Sequence, residues 1–188
     1  MENENDNKFD ILNASFLKTR TIFIFGEINQ EMARKVSAQL IMLQAESDEP
    51  IKIFINSQGG HVESGDTIHD MIKFVKNEVY IIGTGWVASA GVTIYIAADK
   101  AHRYSLPNTR YMIHQPSGGT RGQATDMEIE AKEIIRTQER INRLISEATD
   151  QSFAKVSKDT DRNYWMSNEE AVSYGLVGKV IEKQTMLP

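Results

Sequence analysis

Three short apolar runs, each followed by a turn and a helical pattern, constrain the fold of this chain most strongly. They are TIFIF at 21–25, IKIFI at 51–55 and VYIIGT at 79–84. β-Branched and aromatic residues in runs of this length are typical of buried strands. Alternation of such strands with helices is typical of a parallel sheet covered by helices. The sequence therefore predicts one α/β domain, in which NSQGGHVESG at 56–65 is a turn-rich segment between a strand and a helix.

A longer helical pattern occupies 122–148, where apolar residues recur at alternating steps of four and three. At about 1.5 Å per residue such a helix is roughly 40 Å long. A chain of 188 residues folds to a radius of gyration of about 16 Å. The helix either projects from the domain or lies across it, and the spacing favours neither.

Composition excludes several classes of function. The chain has 21 basic and 26 acidic residues, a net charge of −5 and no cysteine. Nucleic acid is therefore not expected as its main partner, and disulfides, thiolate zinc sites and cysteine nucleophiles are excluded.

The start, MENENDNKFD, is not typical of a signal peptide, and no apolar stretch is long enough to span a bilayer. We expect a cytoplasmic protein that needs no metal or other cofactor.

Ser89 is the candidate nucleophile. It lies in GTGWVASAG at 83–91, where a predicted strand passes into a predicted helix. Backbone N–H groups are unpaired at such a junction, which can hold a nucleophile beside an anion site. The spacing departs from G-x-S-x-G, because Val87 stands where that pattern has glycine. A helix N-cap or a small packing residue remains the alternative role.

A serine nucleophile needs a base within hydrogen-bond reach. The histidines are His61, His69, His102 and His114. We favour His114, because it ends the apolar strand RYMIH and the following Gln-Pro would place its ring at the rim of the sheet. His69 is predicted to lie on the polar side of its helix. A structural role is the alternative for each of them.

Backbone donors and an orienting group complete the candidate site. The N–H groups of Gly60 and Ala90 are candidates for an oxyanion hole, although the glycines also suit an ordinary tight turn. The polar run 158–163 offers Asp159, Asp161 and Asn163 to orient the histidine, or is simply a solvated loop.

Four segments together resemble the family of proteolytic subunits of the ATP-dependent Clp protease, ClpP. They are INSQGGHVESG, GTGWVASAG, LPNTRYMIHQPSGGTRGQATDMEIEAKEI and KDTDRNYWMSNEEAVSYGLVGKV. The resemblance extends from Phe9 to Ile181. It implies a ClpP/crotonase-like α/β fold of repeated β-β-α units in stacked sheets. It also implies an N-terminal axial segment at 1–19 and one peptidase domain at 20–188, with the long helix as a projecting handle at about 115–150.

The resemblance also implies the roles of particular residues. Ser89 matches the nucleophile, His114 the general base and Asn163 the third member of the triad. Gly60 and Ala90 match the oxyanion-hole donors. The implied enzyme is a serine endopeptidase that cleaves unfolded polypeptides.

The assembly that the resemblance implies is a tetradecamer of two stacked heptameric rings around a chamber. A separate AAA+ unfoldase ATPase feeds substrates into it. Asp126 and Arg162 match positions that form an ion pair between the rings. A second ClpP paralogue is a further possible ring partner.

Asn163 departs from the family, which usually has aspartate at this position. An amide can orient a histidine but cannot stabilise the imidazolium by charge, so low intrinsic activity is expected. Asp161 is a second-choice orienter.

Trp86, Val87 and Ala90 replace the usual glutamine, alanine and methionine around the serine, so altered substrate preference is expected. Gln58 replaces the usual proline of the glycine turn, which loosens the segment that carries Gly60.

Two alternative functions remain. One is a catalytically silent structural or regulatory ring subunit that assembles with an active paralogue, for which Asn163 is the main support. The other is a crotonase-like acyl-CoA enzyme, which the MIHQP and handle motifs disfavour.

Overall fold

The described strands form one seven-stranded sheet that divides at its third strand. A computed structural model describes residues 16–119 and 121–188, so most of the predicted axial segment lies outside the described residues. The strands are β1 (Thr21–Ile28), β2 (Ile51–Gly60), β3 (Val79–Ala88), β4 (Arg103–Ser105), β5 (Arg110–Ile113), β6 (Tyr164–Met166) and β7 (Lys179–Val180). The helices are α1 (Gln30–Glu46), α2 (Val62–Phe74), α3 (Ala90–Tyr95), α4 (Ala124–Thr149), α5 (Phe153–Asp159) and α6 (Asn168–Tyr174).

The division of the sheet places the ends of β3 and β5 side by side. The main order is β1-β2-β3-β4-β7, all parallel, while β5 pairs with β3 and β6 pairs antiparallel with β5. The middle of β3, at 81–83, pairs with β4, and its last residues, at 86–88, pair with β5. Ser89 follows β3 and His114 follows β5, so the two residues are brought to the same edge.

The core lies between the sheet and the helices that follow β1, β2 and β3. Ile51, Ile53 and Ile55 alternate with half-buried residues along β2 and are themselves fully buried. Helix α1 packs through Val36, Leu40 and other apolar residues, and Asn29 caps it by accepting the N–H of Met32 at 2.9 Å. The predicted α/β fold is confirmed.

The segment 56–60 is not the predicted turn, and that prediction was wrong. It continues β2, with Gly59 opposite Glu27 and Gly60 opposite Ile28 after a register shift in β1. Gly60 has φ +150°, and a Cβ there would collide with the carbonyl oxygen of Ile28. Glycine is required for this close approach of the two strands. Gly59 and Gly60 were predicted to reverse the chain, whereas in the structure they allow β2 to pair closely with β1.

Helix α4 has an exposed first half and a packed second half. Every described side chain from 124 to 133 is exposed, whereas Ile141, Ile145 and Thr149 are buried. Exposed apolar residues include Ile129 and Ile135, each 53% exposed. These exposures favour a helix that projects over one that lies across the domain. Within the described residues, no helix is long and apolar enough to cross a membrane.

Candidate active site

Ser89 occupies a strained turn between β3 and α3. Its backbone has φ 55° and ψ −123°, and its N–H donates to the carbonyl of Met112 at 2.9 Å. Such a conformation costs a non-glycine residue about 1–3 kcal/mol and persists only where the surroundings hold it. Although Ser89 precedes α3, its side chain makes no capping hydrogen bond. The N-cap interpretation therefore does not account for the hydroxyl.

The Ser89 hydroxyl is instead the first of three groups in a hydrogen-bonded series. Its Oγ lies 2.7 Å from Nε2 of His114. Nδ1 of the same ring lies 3.0 Å from Oδ1 of Asn163. An amide oxygen at Nδ1 accepts the Nδ1 proton and leaves Nε2 free to accept from the hydroxyl. The order of the atoms is that of a nucleophile, a base and an orienting group.

Hydrogen bonds from Gln115 hold the loop that carries Asn163. The Gln115 N–H donates to the Thr160 carbonyl at 2.6 Å, and Gln115 Nε2 donates to the Asp161 carbonyl at 2.8 Å. Gln138 of α4 donates to Gln115 Oε1 at 2.9 Å. The long helix is thus connected to the loop through one residue beside His114.

Asp161 does not orient the histidine. Its carboxylate lies 3.5 Å from Gln115 Nε2 and 4.0 Å from Arg162 Nε. Both ring nitrogens of His114 are already occupied by Ser89 and Asn163. The orienting group in this structure is therefore the amide.

The two candidate oxyanion donors lie on segments that pass close to Ser89. A Cβ on Gly59 would lie 2.6 Å from the Ser89 Cβ and 3.2 Å from the Ala90 nitrogen. The end of β2, where Gly60 follows, is therefore in contact with the turn. Ala90 is the first residue of α3, so its N–H has no carbonyl one turn earlier in the helix. Ala90 directly follows Ser89, and Gly60 directly follows the glycine that contacts Ser89.

A small apolar cavity adjoins the serine. Its volume is about 20 Å³. It is lined by Val62, Ser89, Ala90, Thr93, Ile113, His114, Pro116, Ile141 and Ile145. Since Ile141 and Ile145 belong to the packed half of α4, that helix forms one wall of the cavity.

The other predicted site residues lie away from the triad. His69 is buried with Nδ1 2.7 Å from the Thr93 carbonyl, so its predicted position on a polar face was wrong. That face of α2 packs against α3, which hides it from water. Asp126 is exposed in the first turn of α4, and the Arg162 side chain is 92% exposed beside Asp161. The ion pair expected between rings joins separate subunits, so it remains a prediction.

Sequence reasoning missed an aromatic pair on the strands that lead to the site. Trp86 of β3 and Trp165 of β6 stack with ring centroids 6.3 Å apart. The strand β6 itself was not predicted, because it has only three residues. The pairing of β5 with both β3 and β6 brings the two indole rings together. No local sequence pattern predicts this pairing.

Comparison with known proteins places the chain in a family. The family model described as Clp protease matches residues 3–184. ATP-dependent Clp protease proteolytic subunit 3 of Rhizobium etli is 60% identical over 171 residues, which cover 91% of this chain and 88% of that protein. The structure of ClpP1 from Listeria monocytogenes has a TM-score of 0.86 at 61% identity, covering 94% of this chain and 99% of that one. An asparagine-to-aspartate mutant of that ClpP1 has a TM-score of 0.87 at 62% identity, covering 93% and 98%.

An α/β fold that brings a serine, a histidine and an amide into one hydrogen-bonded series defines a protein of the serine hydrolase class. The chain belongs to the Clp protease family. It is a serine endopeptidase of that family, a proteolytic subunit. Members of the family form rings and associate with Clp ATPases. The resemblance seen in the sequence is thereby confirmed.

Proposed function

We propose that Ser89, His114 and Asn163 are the catalytic triad of this subunit and that it cleaves unfolded polypeptides with low intrinsic activity. The observation that carries the proposal is the series of contacts at 2.7 Å and 3.0 Å through the two nitrogens of His114. Distances in this range allow proton transfer from the hydroxyl to the imidazole.

The chemistry proceeds through an acyl-enzyme. His114 Nε2 takes the proton as Ser89 Oγ attacks the peptide carbonyl, and the N–H groups of Gly60 and Ala90 stabilise the resulting oxyanion. The imidazolium then gives its proton to the leaving amine. Water hydrolyses the ester by the same proton transfers and restores the serine.

Asn163 is the reason for low intrinsic activity. Its Oδ1 holds the productive tautomer of His114, so the ground state is correctly arranged. A neutral amide adds no negative charge when the imidazolium forms, so the transition state is less stable than it would be beside a carboxylate. The rate is reduced although the geometry is intact.

The same residue favours a second function, that of a structural or regulatory ring subunit beside an active paralogue. In such a mixed ring the neighbouring subunits would supply most of the peptide cleavage. The two functions differ in whether Ser89 reacts at all.

Assembly completes the proposed function. We propose that residues 20–188 form one peptidase domain, preceded by an axial segment at 1–19, and that two heptameric rings stack through the exposed half of α4, with Asp126 of one ring pairing with Arg162 of the other. Helix α4 also contacts the Asn163 loop through Gln138 and Gln115, so contacts between rings would affect the position of the triad.

An AAA+ unfoldase would deliver the polypeptides. We place this work in the cytoplasm, which the acidic, cysteine-free composition favours.

Digestion of an unfolded protein tests both the proposed peptidase activity and its preference for the residue before the cleaved bond. Because the cavity beside Ser89 holds only about 20 Å³, we expect a small apolar residue before the cleaved bond. The assembled protein should cut unfolded casein, and mass spectrometry of the products should show alanine or similar residues at that position.

Enlarging the cavity should change this preference. Ile141→Ala removes part of the wall, so leucine before the cleaved bond should gain about tenfold over alanine. Ile41→Ala on α1, at a site 41% exposed, is the matched control. Casein left intact by the assembled protein would contradict the proposed function, and an unaltered product pattern in Ile141→Ala would contradict the role of the cavity alone.

Gly60→Ala should impair catalysis through the oxyanion site. The added methyl collides with Ile28 at a backbone φ of +150°, so the Gly60 N–H must move. Loss of one donor typically lowers kcat by about 10²- to 10³-fold. Peptide hydrolysis by assembled protein is the measurement, and Gly119→Ala is the control, because nothing lies within 4 Å of its new Cβ. Turnover within twofold of the parent protein would remove Gly60 from the proposed site.

A further inference from the structure

Trp86, Trp165 and Arg110 form a surface feature that we call the aromatic platform. The planes of the two indole rings are inclined by only 14°. The guanidinium carbon of Arg110 lies 4.5 Å from the centroid of the Trp165 ring. Trp86 is 42% exposed, and the chain contains no other tryptophan than these two.

The platform occupies the face of the sheet opposite the core. Trp86 is paired with Arg110 across β3 and β5, and Trp165 is paired with Met112 across β5 and β6. The residues that alternate with them on the same strands are buried in the core: Val87, Tyr111 and Met166. Since successive side chains of a strand point to opposite faces, the platform is turned outward.

The same strands continue directly into the triad. Trp86 precedes Ser89 by three residues and Trp165 follows Asn163 by two. At about 3.3 Å per residue these separations are roughly 10 Å and 7 Å along the strands. An extended polypeptide with its scissile bond at Ser89 covers the same distance in two or three residues. The platform therefore lies within two or three extended residues of Ser89.

The chemistry of the platform selects among side chains. Exposed indole faces bind large apolar side chains by burial and by ring stacking. Arg110 covers part of Trp165 through a cation–π contact, and its charge disfavours a second cation at the same place. The platform therefore suits a bulky apolar side chain more than lysine or arginine.

We propose that the aromatic platform is a substrate subsite that binds a bulky apolar side chain two or three residues from the scissile bond. The inference rests on the proposed function, because it takes the bond to be cleaved at Ser89. The occupant is the substrate polypeptide, since the platform is continuous with the strands that end at the triad.

Intrinsic fluorescence tests the inference directly, because both tryptophans of the chain belong to the platform. Assembled Ser89→Ala protein binds peptide without cutting it. It is titrated with peptides that carry phenylalanine, serine or lysine two or three residues from the bond that the active enzyme would cleave. The anisotropy of a labelled peptide gives the affinity independently. The phenylalanine peptide should change the tryptophan emission saturably and bind about tenfold more tightly than the serine peptide, with the lysine peptide weakest.

Two substitutions in the same Ser89→Ala background complete the test. Trp86→Gln should weaken binding of the phenylalanine peptide about tenfold and remove its advantage over the serine peptide. Phe74→Gln, at an aromatic residue 73% exposed at the end of α2, should leave the affinity unchanged. An equal loss of affinity for the phenylalanine peptide in Trp86→Gln and Phe74→Gln would overturn the inference.

Other outcomes also decide the inference. Peptide binding without an emission change, or no peptide binding at all, overturns it. A shift of ring size in Trp86→Gln without a loss of peptide affinity would also overturn it, by showing that the platform is a contact between subunits. Because the Ser89→Ala measurements need no turnover, a negative result here leaves the proposed chemistry standing, which casein digestion by the unaltered chain tests separately.

Discussion

Asn163→Asp is expected to raise peptide hydrolysis by about 10- to 1,000-fold. A carboxylate at 3.0 Å from Nδ1 would keep the present hydrogen bond and add the charge that stabilises the imidazolium. In a buried triad the corresponding exchange is worth about 10⁴-fold. Asn163 is exposed in this structure, and water screens part of the added charge, so we expect a smaller gain. The measurement is kcat/KM for a short fluorogenic peptide, with ring assembly checked by sedimentation.

A control separates the added charge from its position. Asn108→Asp adds the same charge at an exposed residue between β4 and β5 and should leave hydrolysis unchanged. An assembled Asn163→Asp protein with equal or lower turnover would contradict our account of the amide.

Ser89→Ala should abolish hydrolysis, most visibly in the Asn163→Asp background. Removal of the nucleophile from a complete triad costs about 10⁶-fold. The methyl group also ends the hydrogen bond to His114 Nε2 but changes little volume, so folding should be preserved. The double variant is therefore expected to hydrolyse peptide no faster than the buffer blank, whereas Asn163→Asp alone turns over readily.

The matched control is Ser173→Ala, at an exposed serine of α6. It should retain the full activity of its background. Residual turnover in the Ser89→Ala variants that exceeds a blank from the same purification would show that another group carries the chemistry.

Much of the fold follows from local patterns. The apolar runs and the helical spacings predict β1, β2, β3, α1 and α2 because each is long and regular. The capping box of Ser167 and Glu170, with Gly175 after the helix, likewise predicts α6, and all three residues take those roles. Local chemistry alone decides such elements.

The failures share a physical cause, which is that contacts between segments override local preference. The glycines at 59 and 60 read as a turn, but pairing with β1 extends the strand through them. His69 reads as exposed, but packing of α3 buries it. Strand β6 and the stacking of Trp165 on Trp86 depend on the antiparallel pairing with β5.

The candidate site was predictable as a set of residue types and not as a geometry. Ser89 and His114 stand where a strand and a helix or loop meet, which marked them in the sequence. The amide of Asn163 could be matched to a family position, whereas its 3.0 Å contact with Nδ1 depends on the loop that Gln115 holds. The positive φ of Ser89 had no signal in the sequence, because positive φ is typical of glycine and this residue is a serine.

Labelling of the assembled, unaltered protein with a serine-directed fluorophosphonate tests the central claim most directly. The reagent needs a hydroxyl activated by a base, so it reports the Ser89–His114 pair without requiring a good substrate. We predict one adduct per chain, located on Ser89 by peptide mass spectrometry and absent from Ser89→Ala. An assembled protein whose Ser89 stays unmodified under conditions that label Asn163→Asp would contradict the claim and favour the silent ring subunit.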